Sequence, residues 1–247
     1  MILTALVSTE ILAQRADDPD WVVFDCRHDL ADPEVLMEKL GRAGVDSRKQ
    51  VVAYDAQGGM VAARLWWLLR WLGHLPVAVL DGGWNQWISE GRAQTAEVPQ
   101  PQPTRFSGKA NSNWVGADFV HARLYNPGMV LVDARAPDRF RGQNETLDPV
   151  GGRIPGARNR YFRDNLDASG RFKSPEALEQ EFSAVLGLAG AENVVSYCGS
   201  GVSACHNLLA MEVAGLRGAR LYPGSWSEWC ADPSRPVESG EPRATRR

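Results

Sequence analysis

Across the 247 residues, the combination best suited to covalent chemistry is Cys198-Gly199-Ser200-Gly201-Val202-Ser203, directly after the apolar run Val194-Val195-Ser196-Tyr197. The run reads as a buried strand and residues 202–214 as a helix, so the loop is the handover between them. The first N–H groups of a helix have no intrahelical acceptor and carry the positive end of its dipole, so they favour negative charge. Such a setting favours the thiolate, which is the nucleophilic form of cysteine. Gly199 and Gly201 let the backbone curl, while Ser200 and Ser203 offer hydroxyl donors. The expected result is a small anion-binding bowl with Cys198 as nucleophile and Gly199, Ser200, Gly201, Val202 and Ser203 as its lining.

The elements that position this loop occur twice in the chain. Val22-Val23-Phe24-Asp25-Cys26-Arg27 answers to Leu131-Val132-Asp133-Ala134-Arg135, and Val51-Val52-Ala53-Tyr54-Asp55 answers to Val194-Val195-Ser196-Tyr197-Cys198. Asp55 therefore stands where Cys198 stands. Helical stretches follow at 60–72 and 202–214, closed by Gly73 and Gly215, and then a strand and a tryptophan turn: Asp81-Gly82-Gly83-Trp84-Asn85-Gln86-Trp87 against Pro223-Gly224-Ser225-Trp226-Ser227-Glu228-Trp229. Strand, helix and strand in alternation predict an α/β fold of two domains, each a mainly parallel sheet flanked by helices. The expected boundaries are 1–95 for a non-catalytic domain, 96–113 for a linker carrying Pro99, Pro101 and Pro103, and 114–247 for the catalytic domain. The copies differ in one respect: 65 positions separate Asp133 from Cys198 but 30 separate Asp25 from Asp55, so about one crossover of chain is lacking in the first domain.

Other chemistry is weighed against the same residues. A lone cysteine is often a small buried hydrophobe, and here the glycine-serine context and the duplicated frame favour reactivity instead. A phosphatase loop needs Cys-x5-Arg to clamp a phosphoryl group, and that position is Ala204. Cys205 as a resolving thiol in a redox sensor is disfavoured by the rise along a helix, about 10 Å over seven residues. Cys26, Cys230 and the four histidines show no metal-ligand spacing, so neither metal nor cofactor is expected. The formal net charge of −3 offers nothing to nucleic acid, and no apolar run reaches membrane-spanning length. The basic tail Arg243–Arg247 reads as solvated, Met1–Val7 does not read as a signal peptide, the cysteine usage fits a reducing cytoplasmic compartment, and a monomer is expected. Trp84, Trp87, Trp226 and Trp229 recur in both copies, which assigns them a structural role, and Trp66, Trp67 and Trp71 share a helix with leucines, which assigns them to packing or interdomain contact.

The segment Cys198-Gly199-Ser200-Gly201-Val202-Ser203-Ala204 closely resembles the active-site loop of tandem-domain rhodanese-like sulfurtransferases, as do Asp133-Ala134-Arg135, Gly152-Arg153-Ile154-Pro155-Gly156-Ala157 and Pro223-Gly224-Ser225-Trp226. The resemblance spans nearly the whole chain, including the acid at position 55. It implies that Cys198 takes a sulfane sulfur from a small anionic donor, holds it as a persulfide and passes it to a thiol or cyanide. Glycine and serine after the cysteine are similar to the 3-mercaptopyruvate branch, whereas the thiosulfate branch usually carries basic residues there. The resemblance also implies that Arg139 binds the donor, and a guanidinium suits an anion. Two departures stand out: Arg153 replaces the usual histidine, and a second substrate arginine of some relatives would fall near Asp148. The alternative reading is a non-enzymatic sulfur-binding or redox-sensing module.

Overall fold

The computed structural model describes all residues except 1, 16, 26–31, 98 and 242–247, so Cys26, Arg27 and the basic tail lie outside the described residues. The chain divides into two units, residues 1–112 with 166–172 and residues 113–165 with 173–247. Each contains one parallel four-stranded sheet.

In the first unit the elements run β1 (Leu6–Val7), α1 (Thr9–Arg15), β2 (Trp21–Asp25), α2 (Pro33–Arg42), β3 (Gln50–Tyr54), α3 (Ala62–Trp71), β4 (Val77–Leu80) and α4 (Gly83–Ser89), with strand order β1-β4-β3-β2. Val51, Val52, Ala53, Val77, Ala78 and Val79 are all fully buried. A strand covered on both faces reads as a continuous apolar run rather than an alternation, which is why these segments were conspicuous in the sequence. Asp32 caps α2 by accepting from the N–H groups of Glu34 and Val35, and Pro33 occupies the first helical position, where its missing donor costs nothing. Residues 166–172 belong to this unit through Phe172 N–H on the Asp81 carboxylate (2.8 Å) and an Arg171–Glu90 ion pair.

The second unit repeats the plan as α5 (Ala117–His121), β5 (Val130–Asp133), α6 (Pro137–Phe140), β6 (Arg158–Asn159), α7 (Pro175–Leu186), β7 (Val194–Tyr197), α8 (Ser203–Val213), β8 (Arg220–Leu221) and α9 (Ser225–Ala231), with strand order β6-β5-β7-β8. Its core packs Leu131, Val195, Tyr197 and Tyr222 against Trp226 and Trp229. Both tryptophans are fully buried, with each indole N–H donating to a backbone carbonyl, that of Val150 for Trp226 and of Pro236 for Trp229. A buried indole needs such a partner, so these rings staple two loops to the core as well as filling it.

The asymmetry between the copies now has a structural form. In the second unit the longer crossover supplies the turn at 152–157, strand β6 on the outer side of β5, and α7. Among the described residues nothing pairs with β2 on the corresponding side. The chain therefore leaves β5 for one side of the sheet and β7 for the other, which makes a topological switch point, the place where open α/β sheets hold ligands outside the carboxyl ends of their strands.

Candidate active site

Strands β5 and β7 are in register from Val130↔Val194 to Asp133↔Tyr197, so the residues leaving their carboxyl ends emerge side by side at the switch point. Cys198 leaves β7 and is almost fully buried. Its backbone is fixed at both ends: the N–H donates to Ser225 Oγ (3.0 Å), and the carbonyl accepts from Trp226 N–H (3.0 Å). Gly199 C=O accepts from Ser227 N–H (2.9 Å), so the start of α9 holds the start of the loop. The N–H groups from Gly199 to Ala204, by contrast, meet no acceptor among the described residues. Gly201 sits at φ 77°, and a Cβ there would run into the Pro223 carbonyl. Both the left-handed backbone and the collision penalise a side chain, so Gly201→Ala is expected to destabilise the second unit by about 3 kcal/mol. Chemical denaturation would read that loss, and stability equal to the parent's would show that the loop tolerates a different path.

The matching loop of the first unit shows what such N–H groups collect. Asp55 Oδ1 accepts from Gln57 N–H (2.7 Å) and Gly59 N–H (2.8 Å), and Oδ2 from Val61 N–H (2.8 Å) and Ala62 N–H (2.9 Å). A carboxylate thus occupies the cradle between β3 and α3. The equivalence of the loops is geometric as well as sequential, because Trp84 N–H donates to Asp55 C=O (2.9 Å) just as Trp226 N–H does to Cys198 C=O. The residue before each tryptophan has positive φ, 57° at Gly83 and 54° at Ser225. A non-glycine residue there carries a steric cost of about 1–2 kcal/mol. At Ser225 the hydroxyl offsets that cost by joining Cys198 N–H to the Tyr222 carbonyl (2.8 Å), a link that Gly83 cannot make.

Arg139, on α6 beyond the end of β5, lies against the loop: both terminal nitrogens come to 3.9 Å from the Cβ position at Gly199. Its Nε and Nη2 edge is held by Glu145 (3.1 and 2.7 Å), with Asp148 at 3.4 Å from Nη2. Burial by itself would raise the Glu145 pKa, but Arg139 and the N–H groups of Leu147 and Asp148 outweigh it and keep the carboxylate below its ordinary range. Arg135 binds Asp133 (2.6 Å) and the Gly152 carbonyl (2.6 Å), its guanidinium lies 4.8 Å over the Trp226 ring, and its Nη1 reaches Glu145 at 3.5 Å. The Asp133-Ala134-Arg135 motif therefore ties the end of β5 to the turn at Gly152 and to α9. Arg153, in place of a histidine, is buried over Phe140 and reaches Glu238 (2.7 Å) and the Gly240 carbonyl (2.6 Å), so it fastens the segment after α9.

The expected site residues Cys198, Gly199, Ser200, Gly201, Val202, Ser203 and Arg139 thus lie around one loop. Ser200 is the exposed member; Val202 and Ser203 are half-buried at the head of α8. Cys205 is fully buried, its Sγ 3.3 Å from Gly201 C=O, and packs as a core residue. Sequence reasoning missed Glu145 and gave no role to Ser225 or Asp148, although it named both positions. Aligning the two tryptophan turns exposes Ser225 opposite Gly83, whereas nothing in the spacing announces the acids. Among the described residues no cluster of three or more His, Cys, Asp or Glu side chains suits a metal ion, and no helix is long and apolar enough to cross a membrane.

Comparison with known proteins agrees with this geometry. The family model of the rhodanese-like domain matches twice, at residues 28–90 and 117–232. A probable 3-mercaptopyruvate sulfurtransferase of Pseudomonas aeruginosa is 48% identical over 217 residues, covering 87% of this chain and 76% of that protein. The thiosulfate sulfurtransferase of Mus musculus is 33% identical over 234 residues, 89% of this chain and 78% of that protein. Among solved structures, SseA from Escherichia coli superposes with a TM-score of 0.74 at 24% identity, covering 91% of this chain and all of that one, and Tum1 from Saccharomyces cerevisiae with 0.82 at 20% identity over 98% and 100%. The two family matches, the level of identity and the duplicated parallel sheets lead to one conclusion: the chain belongs to the rhodanese-like sulfurtransferase family.

Proposed function

We propose that the chain is a sulfurtransferase that carries sulfane sulfur on Cys198 from a small anionic donor, 3-mercaptopyruvate in preference to thiosulfate, to a thiol or cyanide. One observation carries the reading above the others. The first-unit loop gathers four N–H groups around the Asp55 carboxylate, and the corresponding N–H groups beyond Cys198 meet no acceptor among the described residues. They are free to stabilise the charge of a thiolate or a persulfide, as an oxyanion hole stabilises developing charge. The Cys198 thiolate attacks the donor sulfur, an S–S bond forms, and the donor's bond to that sulfur breaks with its electron pair leaving on the pyruvate enolate or on sulfite. An acceptor thiolate or cyanide then attacks the outer sulfur and returns Cys198 as thiolate. In this reading the first unit is non-catalytic, no cofactor takes part, and a single chain acts in a reducing cytoplasmic compartment.

Assays with 3-mercaptopyruvate and thiosulfate in parallel, followed by mass spectrometry of donor-treated protein, test the proposal: sulfur should be found on the peptide containing Cys198, and turnover of neither donor would defeat it. Arg139→Ala should raise KM for the donor about tenfold or more with a smaller change in kcat, since it removes a charge that binds ground and transition states alike. An unchanged KM would take Arg139 out of donor binding.

A further inference from the structure

The charges around Arg139 bear on which donor the loop accepts. Glu145 and Asp148 both contact this guanidinium, and their side chains are only 5% and 7% exposed, so solvent screens them little. Arg135, the neighbouring cation, is matched by Asp133 at 2.6 Å and also reaches Glu145 at 3.5 Å. The loop from Gly199 to Ser203 adds no cation of its own. Two guanidiniums thus face three carboxylates, and the edge turned toward Gly199 belongs to the arginine that meets Glu145 and Asp148. With Nε and Nη2 engaged by the acids, Nη1 is the nitrogen with donors to offer, enough for one oxygen of a ligand rather than a two-point grip.

We infer that Glu145 and Asp148 determine donor specificity: they hold Arg139 with Nη1 toward the loop and, by cancelling its charge, favour a donor with a single negative charge, such as a mercapto-α-keto acid, over a dianion such as thiosulfate. The inference rests on the sulfurtransferase reading above. Both acids repel any anion at the loop, and a dianion meets that repulsion twice over. For charges several ångströms apart at a partly buried site, the extra unit amounts to about a tenfold or greater difference in relative rate. The role is one of positioning and charge, exercised through Arg139.

The test uses Glu145→Gln and Asp148→Asn, which remove charge while keeping shape and most hydrogen bonds. Values of kcat/KM for thiosulfate and for 3-mercaptopyruvate would be measured in the full chain at low and high salt, with melting temperatures alongside. The ratio of thiosulfate to 3-mercaptopyruvate should rise about tenfold in each variant, chiefly through the KM for thiosulfate. The gain should largely persist at high salt, because the two acids are shielded from solvent. A merely structural role would lower both donors together and leave the ratio in place. Should Glu145→Gln fold poorly, Asp148→Asn decides alone, since its contact with Arg139 is the longer one. A ratio within twofold of the parent's in folded variants overturns the inference and leaves the sulfurtransferase reading standing. A parent chain that turns over neither donor overturns both.

Discussion

Replacing Cys198 by alanine is expected to take sulfur transfer to background, a loss of about 10³-fold or more, because no other group at the loop can form the persulfide. The fold should survive the change. Both anchors of residue 198 are backbone groups, its N–H on Ser225 and its C=O on Trp226, and neither depends on the side chain. Removing one buried sulfur leaves a small cavity whose cost is about 1–2 kcal/mol. Cys198→Ser should be as inactive as the alanine variant, because a hydroxyl is not ionised at neutral pH. Cys205 provides the internal control: it is buried with Sγ directed at Gly201 C=O, so Cys205→Ala should keep turnover within a few-fold of the parent. Residual turnover above about a tenth in Cys198→Ala, or donor sulfur recovered on the Cys205 side of the peptide, would sink the assignment.

The parts of this site that were legible in the sequence are those written in local pattern. The runs at 51–54 and 194–197 are largely apolar because successive residues of these strands are buried, so the strands could be read, and with them the point at which Cys198 and Asp55 leave. The duplication then turned Asp55 into a marker of the cysteine position. What Asp55 does was not legible, since accepting from Gln57, Gly59, Val61 and Ala62 depends on how the loop curls back on itself. The same holds for Glu145. An acid six residues beyond Arg139 is one of several in that stretch, and only the tertiary path of the loop selects it as the partner. Ser225 lies between these cases: it was visible as a mismatch with Gly83, but the significance of the mismatch depends on the positive φ at that position. The short first-domain crossover was also visible as a count, and its consequence, a sheet with nothing described beside β2, required the strand order.

Asp55→Ala should be among the most destabilising single changes in the first unit, and its effect bears directly on Cys198. The substitution leaves four N–H groups without their acceptor, and the groups of Gly59 and Ala62 belong to buried residues. A hydrogen bond to a charged group contributes about 1.5–3 kcal/mol, and an orphaned buried donor loses its hydration as well. Water can replace the carboxylate at the exposed Gln57, so the expected net loss is about 3–5 kcal/mol rather than the sum of four bonds. Asp55→Asn should fall between, because its amide keeps one oxygen for two of the donors but turns an NH2 group toward the other two. Denaturant titration resolving the first unit would rank the three chains as parent, asparagine, alanine. If the alanine variant came within about 0.5 kcal/mol of the parent, the Asp55 carboxylate would be incidental to the loop. The backbone frame around Cys198 would then have no counterpart in the chain that holds negative charge. If the ranking holds, one frame has been put to two uses: in the first unit a fixed carboxylate closes the cradle, and in the second a cysteine leaves the donors open for a charge that arrives and departs with sulfur.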